Sequence, residues 1–150
     1  MGVDTCGHVL ITRSEKRGRP IWGLLDTSVV IDWDEPAVQQ ALPEEISVSA
    51  ITLAELAAGP MLASSVTEQA NRQARLQQTG ATFEPIPFDA AAARSFGQVV
   101  AAVASTDRTH RSRMADLLIA AIPHANGLTL YTRNPDDFIG LEALIHVITV

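Results

Sequence analysis

With 150 residues, 47% of them hydrophobic and 19% charged, the chain has the size and composition of one globular domain with a sizeable core. No apolar run approaches the roughly 20 residues of a membrane helix, and Val9-Leu10-Ile11 is shorter than the roughly 7–15 residues of a secretory apolar core, so a cytoplasmic protein without membrane association is expected. Cys6 is the only cysteine, which excludes an internal disulfide and a cysteine-based zinc site, and Lys16 is the only lysine, which excludes a P-loop lysine, a Schiff base or a receiver-domain lysine in the folded part. The net charge of −6 is unevenly spread. Residues 1–20 carry Arg13, Lys16, Arg17 and Arg19 against Asp4 and Glu15; the rest of the chain then holds 7 basic and 15 acidic groups, a net of −8. Acids in that excess either solvate a surface or gather around a cation, and their positions decide which.

Residues 1–20 are polar, lack a hydrophobic period and end in Arg17-Gly18-Arg19-Pro20, so they read as a flexible tail before a domain spanning 21–150. Ile21 to Leu25 fits a buried strand, and Asp26-Thr27-Ser28 opens a helix to about Trp33. Pro36 starts a short helix through about Leu42. Ile46 to Ser49 is a second strand, followed by a helix from Leu53 to Ala58, capped by Thr52 and closed by Gly59-Pro60. Ser65 to Gln78 is amphipathic and stops before Gly80. Thr82 to Ile86 is a third strand, an edge because Pro85 and Pro87 interrupt it. Asp89 caps an alanine-rich helix through about Ala104. A polar link, Ser105 to His110, leads to a helix from about Ser112 to Ala125 that Asn126-Gly127 ends. Leu128 to Thr132 and Ile145 to Val150 are further strands, with a turn at Asn134-Pro135-Asp136. Strands alternating with helices imply a three-layer α/β/α domain around a mainly parallel sheet, with functional groups just past the carboxyl ends of the strands.

Four acids stand in apolar surroundings. Asp26 lies between Gly23-Leu24-Leu25 and Val29-Val30-Ile31; Glu55 is the only charge from Ile46 to Ala63; Asp116 is the only charge in Met114 to Ile122; Asp137 follows a strand and precedes Phe138. Taken singly, each has an ordinary use. Asp26 serves as a helix cap, Glu55 as the partner of an arginine, Asp116 as the partner of Arg113 one turn earlier, and Asp137 as a turn residue. Together they outnumber the cations the core supplies. Several partly buried carboxylates at one sheet end require positive charge, and a hard divalent cation with oxygen ligands supplies it. Such an ion activates water and stabilises a phosphodiester under attack.

Leu24-Leu25-Asp26-Thr27-Ser28, Ser49 to Leu56, Asp116-Leu117-Leu118-Ile119-Ala120-Ala121 and Thr132-Arg133-Asn134-Pro135-Asp136-Asp137-Phe138, in this order and spacing, resemble PIN domains, and among them the VapC toxins of bacterial VapBC toxin–antitoxin pairs. The resemblance runs from about Leu24 to the C-terminus; the N-terminal extension departs from it. It implies a Mg²⁺- or Mn²⁺-dependent endoribonuclease. The family's acids fall on Asp26, Glu55, Asp116 and Asp137, with Asp136 as a neighbour of the last. Asp26 and Asp116 become the main metal anchors, and Glu55 and Asp137 act through water. Thr27, Thr132 and Asn134 match the accompanying hydroxyls and amide. The resemblance also implies a homodimer and a small VapB-like antitoxin, for which Val38, Leu42, Met61 and Leu62 are candidate contacts, with core packing the first use to expect of any one of them.

RNA binding falls to arginines: Arg72 and Arg75 on one helix, Arg111 and Arg113 at the start of another, and Arg133 in the turn after a strand. His8, His110, His124 and His146 show no metal or triad spacing. Two other classes stay open. An Asp26-based phosphatase lacks the second acid two residues on, where Ser28 stands. A non-catalytic PIN-fold binding module has no use for an intact acid set.

Overall fold

The computed structural model describes residues 22–105 and 113–150, together with the backbone of strands β1 (Gly2–Val3) and β2 (Val9–Leu10). β1 and β2 pair antiparallel with each other. The tail expected over 1–20 otherwise lies outside the described residues, as do the polar link at 106–110, Arg111 and Ser112.

The domain is built on four parallel strands: β3 (Gly23–Leu25), β4 (Ile46–Val48), β5 (Thr129–Thr132) and β6 (Val147–Thr149), in the order β4-β3-β5-β6. The strand period of two divides the core. Leu24 and Leu130 face helices α5 (Ala90–Ala104) and α6 (Met114–Asn126), packing with Val99, Val103, Leu117, Ile119 and Ile122. Leu25 and Tyr131, the next residues along, face the other way with Val29 and Val30 of α1 (Thr27–Ile31), Val38 of α2 (Pro36–Ala41) and Leu56 of α3 (Ala50–Ala58). The expected three-layer α/β/α architecture is thus the observed one.

Local chemistry sets most boundaries. The Asp89 carboxylate accepts the Ala92 N–H at 2.9 Å and starts α5. Gly127, at φ 65°, closes α6 in the left-handed conformation that glycine adopts without a Cβ clash. Three expectations need correction. Helix α3 begins at Ala50, because the Ser49 hydroxyl, not Thr52, caps it by accepting the Thr52 N–H at 3.0 Å. Helix α4 (Val66–Thr82) runs through Gly80, and the strand expected over Thr82 to Ile86 shrinks to one parallel bridge between Ile86 and Ser49. Pro85 and Pro87 remove the donors on either side, so only the Ile86 N–H and C=O pair, with Val48 and Ala50. Val38 is fully buried and Leu42 packs against the same cluster, so both serve the core, the use weighed against partner contact for them; Met61 and Leu62 are exposed.

β3 has β4 on one side and β5 on the other, so the chain changes direction across the sheet between β3 and β5. In parallel sheets the crevice for ligands opens past the carboxyl ends at such a point. Asp26 directly follows β3 there, and its N–H donates to the Tyr131 carbonyl of β5 at 2.9 Å.

Candidate active site

Asp26 occupies the cap position of α1, but its carboxylate makes no capping bond. Its Oδ2 instead accepts the hydroxyls of Ser28 and Thr132, each at 2.8 Å. Those hydroxyls are themselves held by backbone donors: the Arg133 N–H donates to Ser28 Oγ and the Asn134 N–H to Thr132 Oγ1, both at 3.0 Å. A hydroxyl has one proton, so two protons converge on one oxygen of a carboxylate that is only 3% exposed. Among the described residues both hydroxyls go to Oδ2 and none to Oδ1.

Glu55 is exposed on α3 and is oriented by a second relay. The Ser49 hydroxyl donates to Thr52 Oγ1 at 3.4 Å, Thr52 lies 2.9 Å from Thr27 Oγ1, and Thr27 donates to Glu55 Oε1 at 2.7 Å. Because the Thr27 proton goes to Glu55, the Thr52 proton goes to Thr27, and the chain of donors runs one way, from α3's cap to the carboxylate.

Asp116 lies in the first turn of α6, half-buried. Its carboxyl is pushed up to about 6, first by burial and then by the charges of Asp137, Asp26 and Glu55; Arg113 pulls the other way and is outweighed. Three acids from other parts of the chain therefore act on Asp116. Of the neighbours Asp136 and Asp137, the one acting on Asp116 is Asp137, carried by the 3-10 turn Pro135–Phe138. Phe138, buried beside it, anchors that turn in the core.

Residues expected to bind RNA are dispersed. Arg72 donates to the Gly59 carbonyl at 2.8 Å and pairs with Glu68. Arg75 lines a cleft of about 430 Å³ between α1 and α4, together with Trp33, Asn71 and Phe83, and none of the four acids borders it. Arg133 follows Thr132, yet its guanidinium pairs with Asp32 at 3.2 Å and Glu35 at 3.1 Å. Arg113 precedes α6, and its guanidinium is the cation that acts on Asp116.

Sequence reasoning missed Ser28 and Thr52. Ser28 was legible as a hydroxyl two residues after an acid, a spacing at which side chains bond locally. Thr52, read as a cap, is buried in the second relay, and only its place within an apolar stretch hinted at that.

The donors offered to a cation are all carboxylate oxygens, which suits a hard divalent ion. Among the described residues no three acidic, histidine or cysteine side chains come together closely enough to hold a metal ion. The arrangement thus fits an ion that takes one or two carboxylates directly and keeps its other positions for water and ligand.

The sequence profile described as "PIN domain" matches residues 23–142. Ribonuclease VapC5 of Mycobacterium tuberculosis (strain ATCC 25618 / H37Rv) is 35% identical over 130 residues, 85% of this chain and 93% of that protein. Among solved structures, VapBC-5 from Mycobacterium tuberculosis, a member of the VapBC family of toxin-antitoxin systems, superposes with a TM-score of 0.73 at 32% identity, covering 87% of this chain and 98% of that one. FitAcB from Neisseria gonorrhoeae superposes with a TM-score of 0.68 at 28% identity, covering 84% and 96%. The two hydroxyl relays, the three acids acting on Asp116 and these matches lead to one assignment: the chain belongs to the PIN-domain family, in its VapC branch.

Proposed function

We propose that this protein is a divalent-metal-dependent endoribonuclease, the toxin of a type II toxin–antitoxin pair, which hydrolyses RNA phosphodiester bonds. The observation that carries this reading is the buried Asp26 carboxylate, held by Ser28 and Thr132 at the crevice between β3 and β5, with Asp116 near enough to feel its charge and those of Asp137 and Glu55. Such crowding of like charges is unfavourable without a cation and is the arrangement a cation site requires. The ribonuclease name of the 35% identical relative and the toxin–antitoxin titles of the solved structures support it.

Asp26 and Asp116 are the residues that would hold Mg²⁺ or Mn²⁺. When bound, the ion supplies Lewis-acid activation of water and neutralises charge on the phosphate. The chain's own residues do the rest. Thr132 and Ser28 hold the Asp26 carboxylate through Oδ2, so it keeps one orientation. Thr27 aims Glu55, and Glu55 with Asp137 orients the attacking water and accepts its proton. The water oxygen forms a new bond to phosphorus as the bond to the leaving nucleotide oxygen breaks, and that oxygen takes up a proton. Arg72, Arg75, Arg113 and Arg133 contact RNA phosphates, with Arg72 and Arg133 first exchanging the carboxylates that now hold them.

By the same likeness the protein is a homodimer that binds a VapB-like antitoxin. Exposed Met61 and Leu62, in the 3-10 turn Gly59–Leu62, suit such contacts. Among the described residues no helix is long and apolar enough to cross a membrane, consistent with a cytoplasmic toxin.

The test is cleavage of RNA by purified protein in Mg²⁺ or Mn²⁺, with chelator and Asp26→Asn as controls. Metal-dependent cleavage lost in Asp26→Asn supports the reading. Absence of cleavage by the wild type would leave a non-catalytic binding module, and release of inorganic phosphate from a monoester would indicate an Asp26-based phosphatase.

A further inference from the structure

The guanidinium of Arg113 is buried without a hydrogen-bond partner among the described residues. Its Nε, Nη1 and Nη2 are all shut off from water. A guanidinium carries five N–H donors, and leaving a charged group buried and unpaired is strongly unfavourable. The other arginines beside acidic groups behave differently: Arg72 and Arg133 are engaged by hydrogen bonds or ion pairs. Arg113 stands directly before α6, one turn from Asp116, and its charge is felt there. A counter-ion of Asp116 would donate to it. Arg113 lies within reach of the acid cluster's field and donates to none of its members.

A charged donor set left without partners one turn from Asp116 suits an anion. Resting on the nuclease reading above, we propose that Arg113 is a catalytic residue whose guanidinium binds the non-bridging oxygens of the scissile RNA phosphate. The planar fork of two N–H groups matches two phosphate oxygens, and negative charge grows on those oxygens as water attacks. The cost of the vacant guanidinium is then relieved when the phosphate arrives, and most strongly in the transition state. This role separates Arg113 from the remaining arginines, whose contacts fall on flanking phosphates.

The experiment uses the full chain and the variants Arg113→Lys and Arg113→Ala. Three quantities are read: Mn²⁺ affinity by calorimetry, the melting temperature, and cleavage rate against RNA concentration. For Arg113→Lys, kcat should fall about 100-fold, the scale of losing one oxyanion donor, because a lysine cannot reproduce the fork. Mn²⁺ affinity and KM should stay within about threefold of wild type. Millimolar guanidinium chloride should restore part of the rate to Arg113→Ala and none to Asp26→Asn. The proposal is overturned by a wild-type kcat in Arg113→Lys, by a loss that appears in Mn²⁺ affinity alone, or by failure of both variants to fold, which would make Arg113 structural. A wild type that cleaves no RNA with either metal defeats the nuclease reading itself, a result distinct from an active wild type with unaffected variants.

Discussion

Thr132 Oγ1 donates to Asp26 Oδ2 at 2.8 Å across 106 residues of sequence, joining the ends of two neighbouring parallel strands through one carboxylate. Both residues are buried, with Thr132 fully so. The same oxygen of Thr132 accepts the Asn134 N–H, so the bond also fixes the turn that carries Asp137. A single hydroxyl thereby sets the relative position of two of the four acids.

Thr132→Val keeps the shape and removes the donor. It leaves Asp26 with one hydroxyl donor and the Asn134 N–H without its acceptor. We expect a loss of about 2 kcal/mol in unfolding free energy, the scale of a buried hydrogen bond to a charged group. Thr132→Ser keeps the hydroxyl and should lose less than about 1 kcal/mol. Urea denaturation of the three proteins measures both; equal stability of Thr132→Val and wild type would show that the bond does not hold the site.

Two glycines should respond to alanine in opposite directions. A Cβ at Gly23 would stand 2.6 Å from Tyr131 Cε2 and 3.3 Å from Pro43 Cγ. The ring cannot yield easily, because Tyr131 is buried and precedes Thr132 on β5. Gly23→Ala should cost about 2 kcal/mol by overpacking. At Gly80, inside α4, nothing lies within 4 Å of a new Cβ. Gly80→Ala should stabilise by up to about 1 kcal/mol through helix propensity. Melting temperatures that shift in the same direction would contradict this packing.

The layer order and the strand positions were legible because buried parallel strands write themselves as short apolar runs such as Gly23-Leu24-Leu25 and Leu128 to Thr132. The acids were legible for the complementary reason, that a charge such as Asp116 has no place on a helix apolar all round. The relays were not. Ser28, Thr52 and Thr132 come together only once β3, α3 and β5 are assembled, and a hydroxyl in sequence says nothing about which carboxylate will receive its proton. The end of α4 was misjudged at Gly80, where an exposed helical position tolerates a glycine that usually signals a stop. The state of Arg113 was also hidden. Its spacing to Asp116 suggested an ion pair, whereas burial without a partner is visible only in the folded chain.

A chain beginning at residue 21 should fold cooperatively. Both core clusters and all four strands of the main sheet come from residue 22 onward, and among the described residues β1 and β2 pair only with each other. Denaturant unfolding of the shortened protein should keep one transition, with a slope close to that of the full chain. A broad or absent transition would show that residues 1–20 complete the core.

Asp116→Asn separates the two uses of the carboxylate that the sequence left open. In the metal-free protein the Asp116 carboxyl is raised from 3.8 to about 6 by burial and by Asp137, Asp26 and Glu55. A raised folded value means that the folded state holds the proton more tightly than the unfolded one. The stabilisation is fully present below about pH 4 and is lost as pH rises through about 6. Above that, the charged carboxylate weakens the apo fold, by about 1 kcal/mol once solvent screening of a half-exposed group is allowed for. Asp116→Asn should therefore melt higher than wild type at pH 7 without metal, and the gap should close toward pH 4. Metal should reverse the order, because Mn²⁺ binds the ionised wild-type site and stabilises it in proportion to occupancy, while the amide offers a weaker ligand. RNA cleavage by the variant should fall by at least about 100-fold. Paired melts at pH 4.5 and 7, with and without Mn²⁺, together with a cleavage assay, give all four quantities. A variant less stable than wild type at pH 7 without metal, yet cleaving at the wild-type rate, would mean that Asp116 is a structural partner of Arg113 and that the cation sits elsewhere.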